Sequence, residues 1–299
     1  MKYCGFILLT LMIFSSCKDK EKKGPPVSST SGDVSILVDE SFGNVVDDQI
    51  AVFKSDYPKA NFDVIRGEEG KILPTFLNDS VRVIILSKVL TPAEEKIYAN
   101  RGIPVRASRF AIDGIALITS KDNVDSTITV EEVISILKGK QTHGRGLVFD
   151  NAYSSTVRYF KELAGIKSLP EKGVYTLNSN DDVIKYIGLH KDYIGIVGVN
   201  WLLQGDATNK DYMQKVKLLA VRNLKGKKGD DRFYKPTQEN LISGKYPFLR
   251  NIYIINGEGK QGLGTGFANW LVSQRGQLIV LKSGLGPHEL TSREFNLKN

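Results

Sequence analysis

Hydroxyl-bearing residues crowd one short stretch of this chain. Phe149-Asp150-Asn151-Ala152-Tyr153-Ser154-Ser155-Thr156 joins an apolar run to a segment where Val157, Phe160 and Leu163 recur at helical spacing. Ser154, Ser155 and Thr156 set hydroxyls beside the free N–H groups and positive pole of a helix start, and Arg158 adds a fixed charge in the first turn. One N-cap uses one hydroxyl and contributes about 1 kcal/mol. Three in a row exceed that need and suit a tetrahedral oxyanion. Two other strand-to-helix junctions carry a weaker form of the same chemistry. In Asp39-Glu40-Ser41-Phe42-Gly43-Asn44, Ser41 reads as an N-cap and Gly43 lets the backbone come close to a ligand. The second is Leu86-Ser87-Lys88. Each of these two is equally readable as an ordinary helix start; the three together say more than any one.

Catalytic signatures are thin. His143, His190 and His288 have no metal-ligand spacing. The acidic pairs at 47–48 and 181–182 sit in helix first turns, where the dipole already accounts for them. The Gly-rich run 257–266 has neither P-loop nor dinucleotide spacing and reads as a flexible turn. No Ser/His/Asp set can be nominated, so neither an enzyme nor a cofactor is expected. The net charge of +8 is spread without an aromatic-interleaved basic stripe, which argues against nucleic acid as a partner.

The elements that must position these residues alternate. Val34–Val38, Phe62–Ile65, Val81–Leu86, Gly114–Thr119, Leu147–Phe149, Tyr193–Val199, Val216–Val221 and Asn251–Ile255 read as strands. Thr91-Pro92-Ala93-Glu94 and Thr129…Glu132 are capping boxes that open helices, and a long final helix is expected over about 267–282. Alternation predicts an α/β fold with parallel sheets and helices on both faces. Ligands of such sheets bind beyond the carboxyl ends of strands.

The start of the chain reads as a targeting segment. Met1-Lys2, the apolar run Phe6–Phe14 and Ser15-Ser16-Cys17 follow the pattern of a secretory signal, too short to span a bilayer. Small residues before Cys17 resemble a lipobox; an ordinary signal cut nearby is the alternative. Residues 1–16 are then the signal peptide, with Cys17 lipidated, and 17–32 form a charged and Ser/Pro-rich flexible tether. Cys4 leaves with the signal, so the folded part has no thiol chemistry and no disulfide.

From Asp33 to about Thr291 the chain resembles the phosphate-binding proteins of phosphate ABC importers, a type II periplasmic-binding-protein family, in its Bacteroidetes-like lipoprotein branch. Four segments carry the resemblance. Ala111–Ile118 is similar to the family's crossing strand, and Ser154-Ser155-Thr156 stands where the family has a Ser-Gly-Thr loop. Lys245–Tyr253 is similar to the return strand, and Gly266–Val280 with Gly284–Pro287 to the C-terminal pattern.

The resemblance implies a two-lobed fold with two crossing hinge strands. Lobe one would be 33–112 plus 253–299 and lobe two 113–252. Inorganic phosphate would lie between them, held by Ser41, Phe42, Ser87, Ser154, Ser155 and Thr156, and pass to the permease of an ABC transporter. The protein would be a monomer, lipid-anchored on the periplasmic side of the cell envelope. A signalling or structural lipoprotein that kept the fold and binds a protein is the alternative. Lys88 follows Ser87 where many members have Asp, and Asp150 stands where an Arg often precedes the loop. We therefore expect Asp150 to accept the phosphate proton and Arg158 to replace the missing Arg, unless Asp150 merely braces its own loop as an Asx-turn.

Overall fold

The computed structural model describes residues 28–140, 144–203, 210–259 and 261–289. The strands are β1 (Gly32–Asp39), β2 (Ala60–Gly67), β3 (Val83–Leu86), β4 (Arg106–Ser120), β5 (Thr127–Thr129) and β6 (Gly146–Phe149), followed by β7 (Val174–Thr176), β8 (Tyr193–Gly198), β9 (Val216–Leu218), β10 (Ala220–Arg222), β11 (Leu249–Asn256) and β12 (Gly286–Pro287). The main sheet runs β2-β1-β3-β11-β4-β8-β6-β7, with β12 and β9 also on β4. Helices flank it, and the long strand β4 joins two halves of the sheet into a two-lobed whole.

The parallel pairing expected of the sheets holds for part of them. Pairings among β1, β2 and β3, and among β6, β7 and β8, are parallel. Those of β11 and β4 with their neighbours are antiparallel. The reason lies in β4, which is 15 residues long rather than the six expected. Its first half pairs with β11 and its second half with β8, so one strand serves both lobes. The apolar cores separate accordingly. Two are built from residues between 34 and 111 and between 252 and 285; the other two lie between 115 and 248.

Local signals that need no distant partner form as expected. Thr91 and Thr129 each accept from the N3 backbone N–H while Glu94 and Glu132 reach back to the cap. The final helix, by contrast, is two: Leu263–Val272 and Gln274–Lys282. Ser273 takes extended backbone angles between them, and its Oγ accepts from the Gly276 N–H and donates to the Trp270 carbonyl. A Cβ on Gly276 would lie 2.3 Å from the Trp270 oxygen, so that corner closes only around glycine. At the other end of the described chain, Ser29 packs its carbonyl against the helix Leu263–Val272 at Gly266.

Candidate anion-binding site

The junctions singled out above meet at the carboxyl ends of the strands, where the lobes face one another. From lobe one come Asp39, the last residue of β1, and the short 3-10 turn Glu40–Phe42. Ser41 is not the N-cap expected of it. Asp39 Oδ1 accepts from the Ser41 N–H at 3.0 Å, and the next helix starts at Gly43 without any side-chain cap. The Ser41 hydroxyl is thereby left for the cleft. A Cβ on Gly43 would meet the Arg66 guanidinium at 3.1 Å, so the room beside this glycine is taken by Arg66.

From lobe two comes the loop after β6. Ser154 is the N-cap of the helix Ser155–Ala164: its Oγ accepts from the Val157 N–H at 3.2 Å and donates to Asp150 Oδ1 at 2.7 Å. Ser155 and Thr156 are wholly buried and are the two hydroxyls that capping does not use. Asp150 is engaged on both oxygens, by Ser154 and, at 3.4 Å, by Asn180 Nδ2.

The cation at the centre is Arg250 on β11, whose side chain is 1% exposed. Its Nε donates to Asp113 Oδ2 at 2.7 Å, and Nη1 donates to Ser155 Oγ at 3.0 Å and Thr156 Oγ1 at 3.2 Å. Its Cζ lies over the Phe42 ring, 4.6 Å from the ring centre, which gives Phe42 a cation–π contact from the opposite lobe. Nη2 has no hydrogen-bond partner among the described residues, and neither has Asp39 Oδ2. A buried guanidinium N–H and a buried carboxylate oxygen left open are costly unless something polar meets them. Arg250 and Asp113 stand directly opposite each other on the two crossing strands. Burial pushes the Asp39 carboxyl up, against the pull of Arg250, and pushes Asp150 up against the hydroxyl of Ser154.

Two residues expected at the anion, Ser87 and Arg158, bond one another. Arg158 Nη2 donates to Ser87 Oγ at 2.9 Å and to Glu69 Oε2 at 3.1 Å; Nε bonds Glu69 Oε1, and Nη1 bonds Glu162. Lys88 pairs with Glu94 at 2.9 Å. The lobes also touch through Ser41 Oγ and Ser155 Oγ, 3.4 Å apart, and through Asn200 Nδ2 donating to the Ser41 carbonyl at 2.9 Å. Sequence reasoning missed Asp39 and Arg250. Each was readable as a charge set in an apolar strand, the pattern that demands a buried partner.

A family model described as a PBP superfamily domain matches residues 23–275. The phosphate-binding protein PstS of Pseudomonas aeruginosa is 22% identical over 286 residues, covering 87% of this chain and 84% of its own. PstS of Borreliella burgdorferi is 24% identical, covering 93% and 95%. Among solved structures, a Clostridium perfringens chain with bound phosphate shares the fold at a TM-score of 0.69 and 20% identity, over 86% of this chain and all of that one. An ABC-type phosphate transport receptor from Vibrio cholerae does so at 0.65 and 16%, over 86% and 100%.

Proposed function

From the fact that this chain belongs to the PBP superfamily, we propose that it captures inorganic phosphate between its lobes and delivers it to the permease of an ABC importer. The relatives named above, phosphate-binding proteins and a chain with bound phosphate, support the choice of anion. The observation that carries it is Arg250. A buried guanidinium with an open N–H, flanked by the Ser155 and Thr156 hydroxyls, with Ser41 Oγ 3.4 Å from Ser155 Oγ, is an oxyanion seat.

In this reading Arg250 is the cation that the sequence sought in Arg158. Ser41, Ser155 and Thr156 donate to the anion, Phe42 packs behind Arg250, and Ser154 holds the loop. Ser87 and Arg158 stand at the rim. The discriminating carboxylate is Asp39 rather than Asp150, since Asp150 has both oxygens engaged while Asp39 keeps one. Phosphate near neutral pH retains a proton for Asp39 to accept, whereas sulfate has none and is repelled. Five to eight charge-assisted hydrogen bonds at roughly 1.5–3 kcal/mol each cover the ~8 kcal/mol of micromolar binding after closure is deducted. No covalent step is required.

The lobes are taken as 33–112 with 253–299 and as 113–252, moving about β4 and β11. The signal peptide, the lipid on Cys17 and residues 17–27 of the tether lie outside the described residues and rest on the sequence pattern; residues 28–32, expected as the end of the tether, belong to the folded part, with Ser28 bridged to Ser31 and Gly32 opening β1. Among the described residues no helix is long and apolar enough to cross a membrane. We take the protein to act as a monomer on the periplasmic side of the envelope. Calorimetric titration of the detergent-solubilised protein, stripped of ligand, tests the reading. Micromolar or tighter phosphate, with sulfate about a hundredfold weaker, supports it; no heat from either anion overturns it in favour of a protein partner.

A further inference from the structure

Arg158 and Glu69 belong to different lobes, and their side chains are 23% and 6% exposed. Arg158 grips both oxygens of Glu69, the fork-to-carboxylate geometry that Lys cannot reproduce. Glu162, one turn along on the same helix, steadies Arg158 from behind. The neighbours of Glu69 make the same crossing. Asn151 Nδ2 donates to Glu68 Oε1 at 2.9 Å, the Gly70 N–H donates to the Tyr153 carbonyl at 3.1 Å, and Lys71 Nζ lies 5.6 Å from the Tyr153 ring centre. Four consecutive residues, Glu68 to Lys71, thus bind the lobes together beside the anion seat and without using any group of that seat.

We propose that the Glu69–Arg158 pair is a clasp between the lobes. It sets how firmly the cleft closes, and so the affinity and lifetime of a bound anion, while taking no part in choosing among anions. The statement about closure stands on these contacts alone; the one about affinity rests on the phosphate reading. A ligand that binds only the closed form gains whatever fraction of closure the protein already supplies. Arg158 is then a positioning residue, and its removal weakens all anions by one common factor.

The Gly70 N–H reports closure directly, because its partner is on the other lobe. Hydrogen exchange at Gly70 in the anion-free, detergent-solubilised protein is compared between parent, Arg158→Gln, Glu69→Gln and the double variant. Calorimetry with phosphate and sulfate follows on each. Each single variant is expected to exchange about tenfold faster at Gly70 and to bind both anions about tenfold more weakly, equivalent to about 1.4 kcal/mol. The double variant should be no worse than the singles, because neither charge is left alone. Should Arg158→Gln not fold, Arg158→Lys keeps the charge without the fork and should show the same losses. Unchanged exchange at Gly70 overturns the clasp. A phosphate loss far exceeding the sulfate loss also overturns it, since Arg158 would then touch the anion. If neither anion binds the parent and Gly70 still deprotects in the variants, the phosphate reading fails and the clasp stands.

Discussion

Replacing Arg250 by Met should separate what this residue does for the fold from what it does for the anion. The substitution keeps the stem and removes the guanidinium. Asp113, wholly buried, would lose its partner, and an uncompensated buried charge costs about 3–5 kcal/mol. The Ser155 and Thr156 hydroxyls would each lose a donor as well. At roughly 2–4 °C per kcal/mol for a chain of this size, melting should fall by about 6–20 °C. Anion binding should fall by a charge-assisted hydrogen bond, roughly 2–3 kcal/mol, which is about 30- to 150-fold. The double variant Arg250→Met with Asp113→Leu removes the orphaned carboxylate and should recover most of the stability, since an apolar pair of similar volume is often as stable as a buried ion pair. It should recover none of the affinity. Thermal unfolding and phosphate calorimetry on both variants make the comparison. A double variant that binds phosphate as the parent does would refute the assignment of Arg250 to the anion, however sound its fold.

Asp39→Asn should cost phosphate about tenfold and relieve the repulsion of sulfate by a similar factor, narrowing the selectivity about a hundredfold. Acid should act in the same direction. Burial holds the Asp39 carboxyl above its ordinary value, so it takes up a proton earlier on acidification than a free Asp, and a protonated carboxyl donates to sulfate where the carboxylate repelled it. Sulfate binding should strengthen as pH is lowered from 8 to 5, and a flat profile would remove Asp39 from the selectivity. Gly266→Ala would drive a Cβ to 1.7 Å from the Ser29 oxygen. It should cost about 1–3 kcal/mol of stability or free the 28–31 segment to protease, with anion affinity unchanged.

How much of this was legible in the sequence follows from the range of each interaction. The capping boxes at Thr91 and Thr129 were readable because cap and partner are three residues apart. The Ser154–Thr156 loop was readable because an excess of hydroxyls over one cap is a local count. Ser41 was misread because its neighbour Asp39 takes over the task of satisfying the backbone, so the hydroxyl is released. The split of the last helix was hidden because continuous apolar spacing does not show that Ser273 and Gly276 fold a corner against Trp270. Arg250 escaped notice for the opposite reason: its partner Asp113 is 137 residues away, and nothing local says which charge in which strand will answer it. Arg158 drew the assignment because it lies close to the loop in sequence, while the carboxylate that claims it, Glu69, is 89 residues distant.

The placement of Arg250 opposite Asp113 on the two crossing strands has a kinetic consequence. In the proposed closure about β4 and β11 the guanidinium lies near the axis and moves least, while the Ser41 and Ser155 hydroxyls travel apart and together. Its pull on an arriving anion is therefore much the same whether the jaws are wide or shut, and the rate of capture is governed by charge and access rather than by waiting for the right opening. Escape is different, because the hydroxyls must withdraw before the anion can leave. Arrival is thus governed by the charge at the pivot, whereas departure answers to the hydroxyls and to the Arg250 bond together, so a hydroxyl substitution should hasten departure alone and an Arg250 substitution should change both steps.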